Sequence, residues 1–330
     1  MKPFEFAVPI SANQAVGLLG SRWGDSEILA GGTDLLALMK DDVVSPKRLV
    51  NIKSVAGMNE ISYDAKAGLR LGALARLQDI ADHADMRSHY PVLANAVDDA
   101  ASPQIRNMAT IGGNLCQRPR CWYFRNGFGL LAEQNGKSLV TEGDNRYHAI
   151  LGNDGPAKFV SPSSIAPVLI AMQARVRLVG PNGPRELPLE KFFVIPKSEN
   201  EREHNLRPNE MLTELVVPPA PEGWRFGAYE VRQKAQFDWP LATAAVALKM
   251  SGGKVQGARI VMGHVAPIPW IAESAAVAAL MGEANLEKAA ENAGVVAAIK
   301  PARPLSRNGH KARLAAVAVK RAILAAAKTS

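Results

Sequence analysis

Along the first half of the chain, short apolar runs alternate with glycine turns and with segments whose apolar positions recur at helical spacing. Glu27 to Ala30 reads as a strand entering Gly31-Gly32, and Leu35 to Lys40 as the helix that follows, its polar edge running to Asp42. Arg48 to Ile52 and Leu69 to Ala73 read as further strands. Leu77 to His83 and Val92 to Ala101 have the spacing of amphipathic helices, the second stopped before Ser102-Pro103, because a residue preceding proline is pushed out of the helical region. Asn126 to Asp154 is polar and poor in β-branched residues, which predicts a long surface excursion. Strands resume after Val168, with Arg175 to Val179, a turn at Pro181-Asn182-Gly183, a charged segment up to Pro208, and Leu212 to Val217.

Pro218-Pro219-Ala220-Pro221 and Gly223 then form the best linker candidate in the chain. Beyond it, Arg225 to Arg232, Ala242 to Met250 and Val255 to Met262 read as strands. Alanine-rich helices follow from about Ala272 to Met281, Leu286 to Ile299 and Lys311 to Ala327. Strands followed by helices predict an α+β unit. With 330 residues the chain exceeds the size at which one core usually stops growing, so two domains are expected, at 1–222 and 223–330.

Composition changes this picture little. Apolar residues make up 47% and charged residues 21%, an ordinary globular balance. The net charge of +8 favours anionic partners without choosing among nucleic acid, a membrane surface, phosphorylated ligands and acidic subunits. Glu5 and Pro9 interrupt any export signal at the start, no apolar stretch is long enough for a membrane span, and the cytoplasm is the expected compartment. Cys116 and Cys121, the only cysteines, are too few for a disulfide framework.

Two motifs carry the candidate chemistry: Ala30-Gly31-Gly32-Thr33-Asp34 and Thr110-Ile111-Gly112-Gly113-Asn114. A diphosphate needs converging backbone N–H groups and no Cβ in the way, and paired glycines at a strand-to-helix turn supply both. Either pair alone is an ordinary turn; together, each behind an apolar run, they point to a pyrophosphate. The glycines are adjacent, unlike the spaced glycines of a Rossmann fingerprint. Gly136-Lys137-Ser138 ends like a P-loop, but Leu131 stands where the opening glycine belongs. No metalloprotease or nucleophile-elbow motif occurs.

The strings AGGTDLL (30–36) and SPQIRNMATIGGNL (102–115) resemble the FAD subunits of molybdenum hydroxylases of the xanthine dehydrogenase type. The likeness continues in VNIKSVAGMNEI (50–61) and LRPNEMLTELVVP (206–218), and CQRPRCWYFRN and EGDNRYHAI bring it nearest to aldehyde oxidoreductase flavin subunits. It implies a two-lobed FAD-binding domain of the vanillyl-alcohol-oxidase type, with lobes at about 1–57 and 58–222, before a CO-dehydrogenase-flavoprotein-like α+β domain. By the same resemblance, Leu29, Ala30, Gly31, Gly32, Thr33, Asp34, Leu35 and Leu36 would hold the diphosphate, with side-chain hydrogen bonds from Thr33 and Asp34. Thr110, Ile111, Gly112, Gly113 and Asn114 would face the flavin and ribityl side near Ala100. Ser164 stands where relatives often have a carboxylate, and Arg232 where they place a cation near the flavin.

The resemblance further implies a large molybdopterin-binding subunit, a small subunit with two 2Fe-2S clusters, and an external electron acceptor. No side-chain catalyst would then be needed in this chain, and an export signal on a partner would carry the complex to the periplasm. Relatives with a 4Fe-4S cluster in this region use four cysteines, so with two here no such cluster is expected. Arg118, Arg120 and Arg125, interleaved with Trp122, Tyr123 and Phe124, suit a face against a partner subunit. A flavin-free scaffold or nucleic-acid-binding protein on the same fold is the alternative, and a stand-alone flavin oxidoreductase a second.

Overall fold

A computed structural model of the chain describes residues 1–234, 238–281 and 285–328. Its fourteen described strands form four sheets. The first contains β1 (Glu5–Ala7), β2 (Ser26–Leu29) and β3 (Arg48–Asn51), in the order β1-β3-β2 and parallel throughout. The helices Ala12–Leu18 and Leu35–Lys40 make the crossovers that parallel neighbours require. Ser11 caps the first of them by accepting a hydrogen bond from the Gln14 N–H.

The second sheet is antiparallel and runs β4-β5-β10-β8-β9, from β4 (Ile61–Asp64), β5 (Gly68–Gly72), β8 (Arg175–Gly180), β9 (Gly183–Pro188) and β10 (Met211–Val217). A small hairpin, β6 (Glu133–Gln134) with β7 (Lys137–Ser138), lies between. The third sheet is the antiparallel meander β11 (Trp224–Val231), β12 (Ala242–Ser251), β13 (Lys254–Gly263) and β14 (Trp270–Ile271). Helix His310–Lys328 packs on β11 and β12, and helix Leu286–Gly294 packs on that helix. Small alanines at the seam allow this close layering. The opposite side meets helix Ile165–Ala171, every residue of which is buried.

Leu35–Lys40 forms the expected helix, and the strands around Arg48, Leu69, Arg175, Leu212, Arg225, Ala242 and Val255 lie within a residue or two of their expected positions. The helix expected from Leu286 to Ile299 is α-helical to Gly294 and a π-helix from Val295. Elements not foreseen include β1, β4, β9, β14, the β6–β7 hairpin and the helices Ala12–Leu18, Ala84–His89 and Ile165–Ala171.

The expected surface excursion from Asn126 to Asp154 holds only in part: residues 126–128 and 133–137 are exposed, and much of the rest turns inward. Leu130, Leu131, Val140, Ile150 and Leu151 are buried, as are Asn145 and His148. Ile150 and Leu151 belong to the core of the third sheet. Their N–H groups both donate to Val265 O, and Arg303 N–H donates to Ile150 O. Asn145, Asn153 and Asn308 add hydrogen bonds between this strap and residues 303–308. Polar residues fill the segment because buried amides satisfy the backbone there.

Candidate functional site

The strand β2 ends at Leu29 and delivers the chain to a loop that lies against the second lobe. Gly31 is required by that approach, since a Cβ there would stand 1.9 Å from Met108 O. Gly32 has φ +75°, a conformation that disfavours any residue with a Cβ. Gly112 meets the other wall, where an added Cβ would come within 2.8 Å of both Ala73 Cβ and Ala73 O. Gly31 therefore lets the two lobes approach, while Gly112 seats the second loop against Ala73 within its own lobe.

Between them runs a cleft of about 1210 Å³, open mouth included. Ala30, Gly31, Gly32, Thr33, Asp34 and Leu35 line it together with Thr110, Gly112 and Gly113. Apolar walls come from Leu19, Ile28, Val44, Ile52, Leu206 and Leu212. Of the other anticipated residues, Leu29 and Ile111 are buried beneath the loops and Leu36 faces outward. Asn114 accepts a hydrogen bond from Ser163 Oγ at 2.6 Å.

The two loops differ in what they offer. In the second, Ile111 N–H donates to Ala75 O, Gly112 N–H to Ala73 O, Gly113 N–H to Thr110 Oγ1 and Asn114 N–H to Thr110 O. Those donors are occupied within the protein. In the first, Leu36 N–H turns back to Gly32 O, while the N–H groups of Gly31, Gly32, Thr33, Asp34 and Leu35 have no partner among the described residues. Five consecutive free donors lining a cleft suit an anion with several oxygens.

Asp34 is not free for a ligand in the way expected of it. Its carboxylate accepts from Arg118 N at 2.9 Å and from Arg125 Nη2 at 2.7 Å, and Arg120 Nη2 stands 3.1 Å away. Sequence reading also missed Arg118, Arg202, Glu27 and His204, all of which line the cleft. Arg202 pairs with Glu27 at 2.9 Å and stacks over Trp23. Burial pushes the Glu27 carboxyl up to about 7, against the pull of Arg118. Burial likewise brings the His204 imidazole down to about 4, so it is neutral at physiological pH. Cys116 lines the cleft too, with its thiol pushed up to about 12 by burial, which leaves it unreactive.

Ala100, Ser164 and Arg232 lie apart from the cleft lining, in a second group. Arg232 Nη2 donates to Asp99 O at 2.8 Å and its Nε to Glu230 Oε2 at 2.8 Å. Ser164 hydrogen-bonds the same Glu230 carboxylate, which burial raises above the usual range. A carboxylate thus does stand beside Ser164, supplied by β11.

A family model described as the FAD binding domain in molybdopterin dehydrogenase matches residues 2–220. The chain belongs to this family. A second, the CO dehydrogenase flavoprotein C-terminal domain, matches residues 227–326. The aldehyde oxidoreductase FAD-binding subunit PaoB of Escherichia coli K12 is 32% identical over 282 residues, 83% of this chain and 85% of that one. The carbon monoxide dehydrogenase medium chain of Hydrogenophaga pseudoflava is 30% identical over 326 residues, 98% and 96% of the two chains. The solved structure of that organism's carbon monoxide dehydrogenase, in a form lacking the Mo-pyranopterin moiety, shares the fold with a TM-score of 0.76 at 30% identity, covering 99% and 98%.

The chain is accordingly an FAD-dependent oxidoreductase subunit, the medium FAD subunit of a multi-subunit molybdenum hydroxylase. No described helix is long and apolar enough to cross a membrane. The arginine and aromatic string is part-buried within this chain. Phe124 is buried, Arg118 and Arg125 are largely so, and Arg118 pairs with Glu203 and Arg125 with Asp34. Cys121 Sγ lies 3.1 Å from His148 Nε2.

Proposed function

We propose that FAD lies along the cleft with its diphosphate over Gly31 to Leu35, and that the chain receives electrons from 2Fe-2S clusters in a small subunit and passes them to an external acceptor. The observation that carries this reading is the run of five unpartnered N–H groups between two glycine-lined walls. Bound FAD supplies the ability to accept electrons singly and to release them singly or in pairs. The protein's own part is positional. Gly31 lets the first loop close on the second lobe, Gly112 seats the second loop against Ala73, Thr110 holds Gly113, and the apolar lining keeps water from the nonpolar parts of the cofactor.

Thr110 to Asn114 continue the path toward the second group, where Ala100, Ser164 and Arg232 would border the flavin ring. The paired Glu230 takes up much of the Arg232 charge there. A large molybdopterin subunit would oxidise the organic substrate, an aldehyde being favoured by the likeness to PaoB. The domain division at about 222 is supported by the change of sheet between Val217 and Trp224. Purified full-length chain should show a flavin spectrum, release FAD on heating, and turn over no aldehyde alone. A colourless protein that takes up no added FAD would end this reading and favour a scaffold role.

A further inference from the structure

We infer that Arg118 is the residue that recognises the charge of the cofactor's diphosphate. This rests on the placement of FAD in the cleft. The helices that open onto the cleft, Leu35–Lys40 and Ile111–Cys116, have six residues each, too short for a strong dipole. Free N–H groups can orient phosphate oxygens but bring no full positive charge. A side chain must supply it.

Most cations near the first loop are already committed. Arg125 and Arg120 converge on Asp34, Arg202 is held by Glu27 and Trp23, and Lys53 Nζ donates to Ala30 O at 3.1 Å. Arg118 differs. Its backbone N–H is fixed by Asp34, a residue within the free-donor run, so it sits directly beside that run. Its Nε donates to Glu203 Oε1 at 2.8 Å and its face rests on Phe124. Nη1 and Nη2 donate no hydrogen bond among the described residues, although the Arg118 charge acts on Glu27 and the side chain is only 14% exposed and lines the cleft. A guanidinium locked at one edge and free at the other matches a bidentate contact to phosphate oxygens. Glu203, buried and unpartnered at Oε2, acts as the positioning residue behind it.

The test compares FAD and ADP binding to deflavinated full-length wild type, R118K, R118Q and the double variant R118Q/E203Q, by titration at low and moderate salt. R118Q should bind both ligands about tenfold to a hundredfold more weakly, the range of a charge-assisted hydrogen bond. The salt dependence of binding should flatten with it. R118K should recover part of the loss. The double variant removes the stranded Glu203 charge, so its melting temperature should approach that of wild type while its FAD affinity stays low. Wild type that binds FAD alongside a double variant within twofold of it would overturn the assignment to Arg118. Wild type that binds no FAD would instead overturn the placement of the cofactor.

Discussion

Replacing Lys311 with methionine offers a quantitative check on the seam between the strap and the C-terminal helices. Lys311 is 1% exposed, and its Nζ donates to the carbonyls of Tyr147 at 2.9 Å, His148 at 3.0 Å and His264 at 2.7 Å. No carboxylate pairs with it among the described residues. Asn308 also donates to His148 O, so the substitution leaves two carbonyls, those of Tyr147 and His264, short of a donor. Each costs roughly 1–3 kcal/mol.

Burial pushes the Lys311 amine down to about 7 from an ordinary 10.5, while the three carbonyls favour the ammonium. Between those values the unfolded chain carries a proton that the folded chain has shed, so folding stability from this group rises with pH. The difference in unfolding free energy between wild type and K311M should therefore widen by about 2–3 kcal/mol from pH 7 to pH 9. His148 and His264, the titratable groups nearest to it, are held neutral by burial at about 4 and about 3, outside that window. Urea unfolding of both proteins at the two pH values measures it. A difference that stays constant would mean that the three carbonyls hold the proton throughout, and the argument from burial would be refuted.

Other outcomes follow from the site. Gly31→Ala forces its Cβ into Met108 O and should lower stability by about 3 kcal/mol or more, read as a fall in melting temperature with loss of FAD uptake. Asp34→Ala removes the acceptor shared by Arg118, Arg120 and Arg125 and should cost about 3 kcal/mol in urea, with Asp34→Asn milder because the amide oxygen still meets Arg118 N–H. Arg232→Gln leaves the buried Glu230 unpaired. Its effect should shrink as pH is lowered and Glu230 takes a proton, and an effect independent of pH would count against that pairing.

Period and punctuation made the regular elements legible. Leu35–Lys40, with apolar residues at close helical spacing behind a glycine pair, could be read directly. The strands β1 (EFA) and β4 (ISYD) were too short and too mixed to announce themselves, and β9 hid behind Pro184, Arg185 and Glu186. Helix Ile165–Ala171 carries Pro167 in its first turn and is apolar on every side, so no stripe distinguishes it from a buried strand.

At the site, the glycine motifs were visible as motifs, and the division of labour between them was not. That division depends on Ala73 and Ala75 accepting the second loop's donors, a relation made by strand pairing and absent from local sequence. The Asp34 hub was hidden for the same reason, because its arginine partners lie 84 to 91 positions away along the chain.

The strap at 145–153 also sets an order on biosynthesis. Its carbonyls wait for Arg303, Asn308 and Lys311, and 158 residues separate Asn153 from Lys311. At roughly 5–20 residues per second, translation takes about 8–30 s to supply them. During that interval Ile150 and Leu151 lack the helical side of their core, which residues 312–326 supply. Completion of the core behind the third sheet therefore waits for helix His310–Lys328, while every residue lining the cofactor cleft is made earlier.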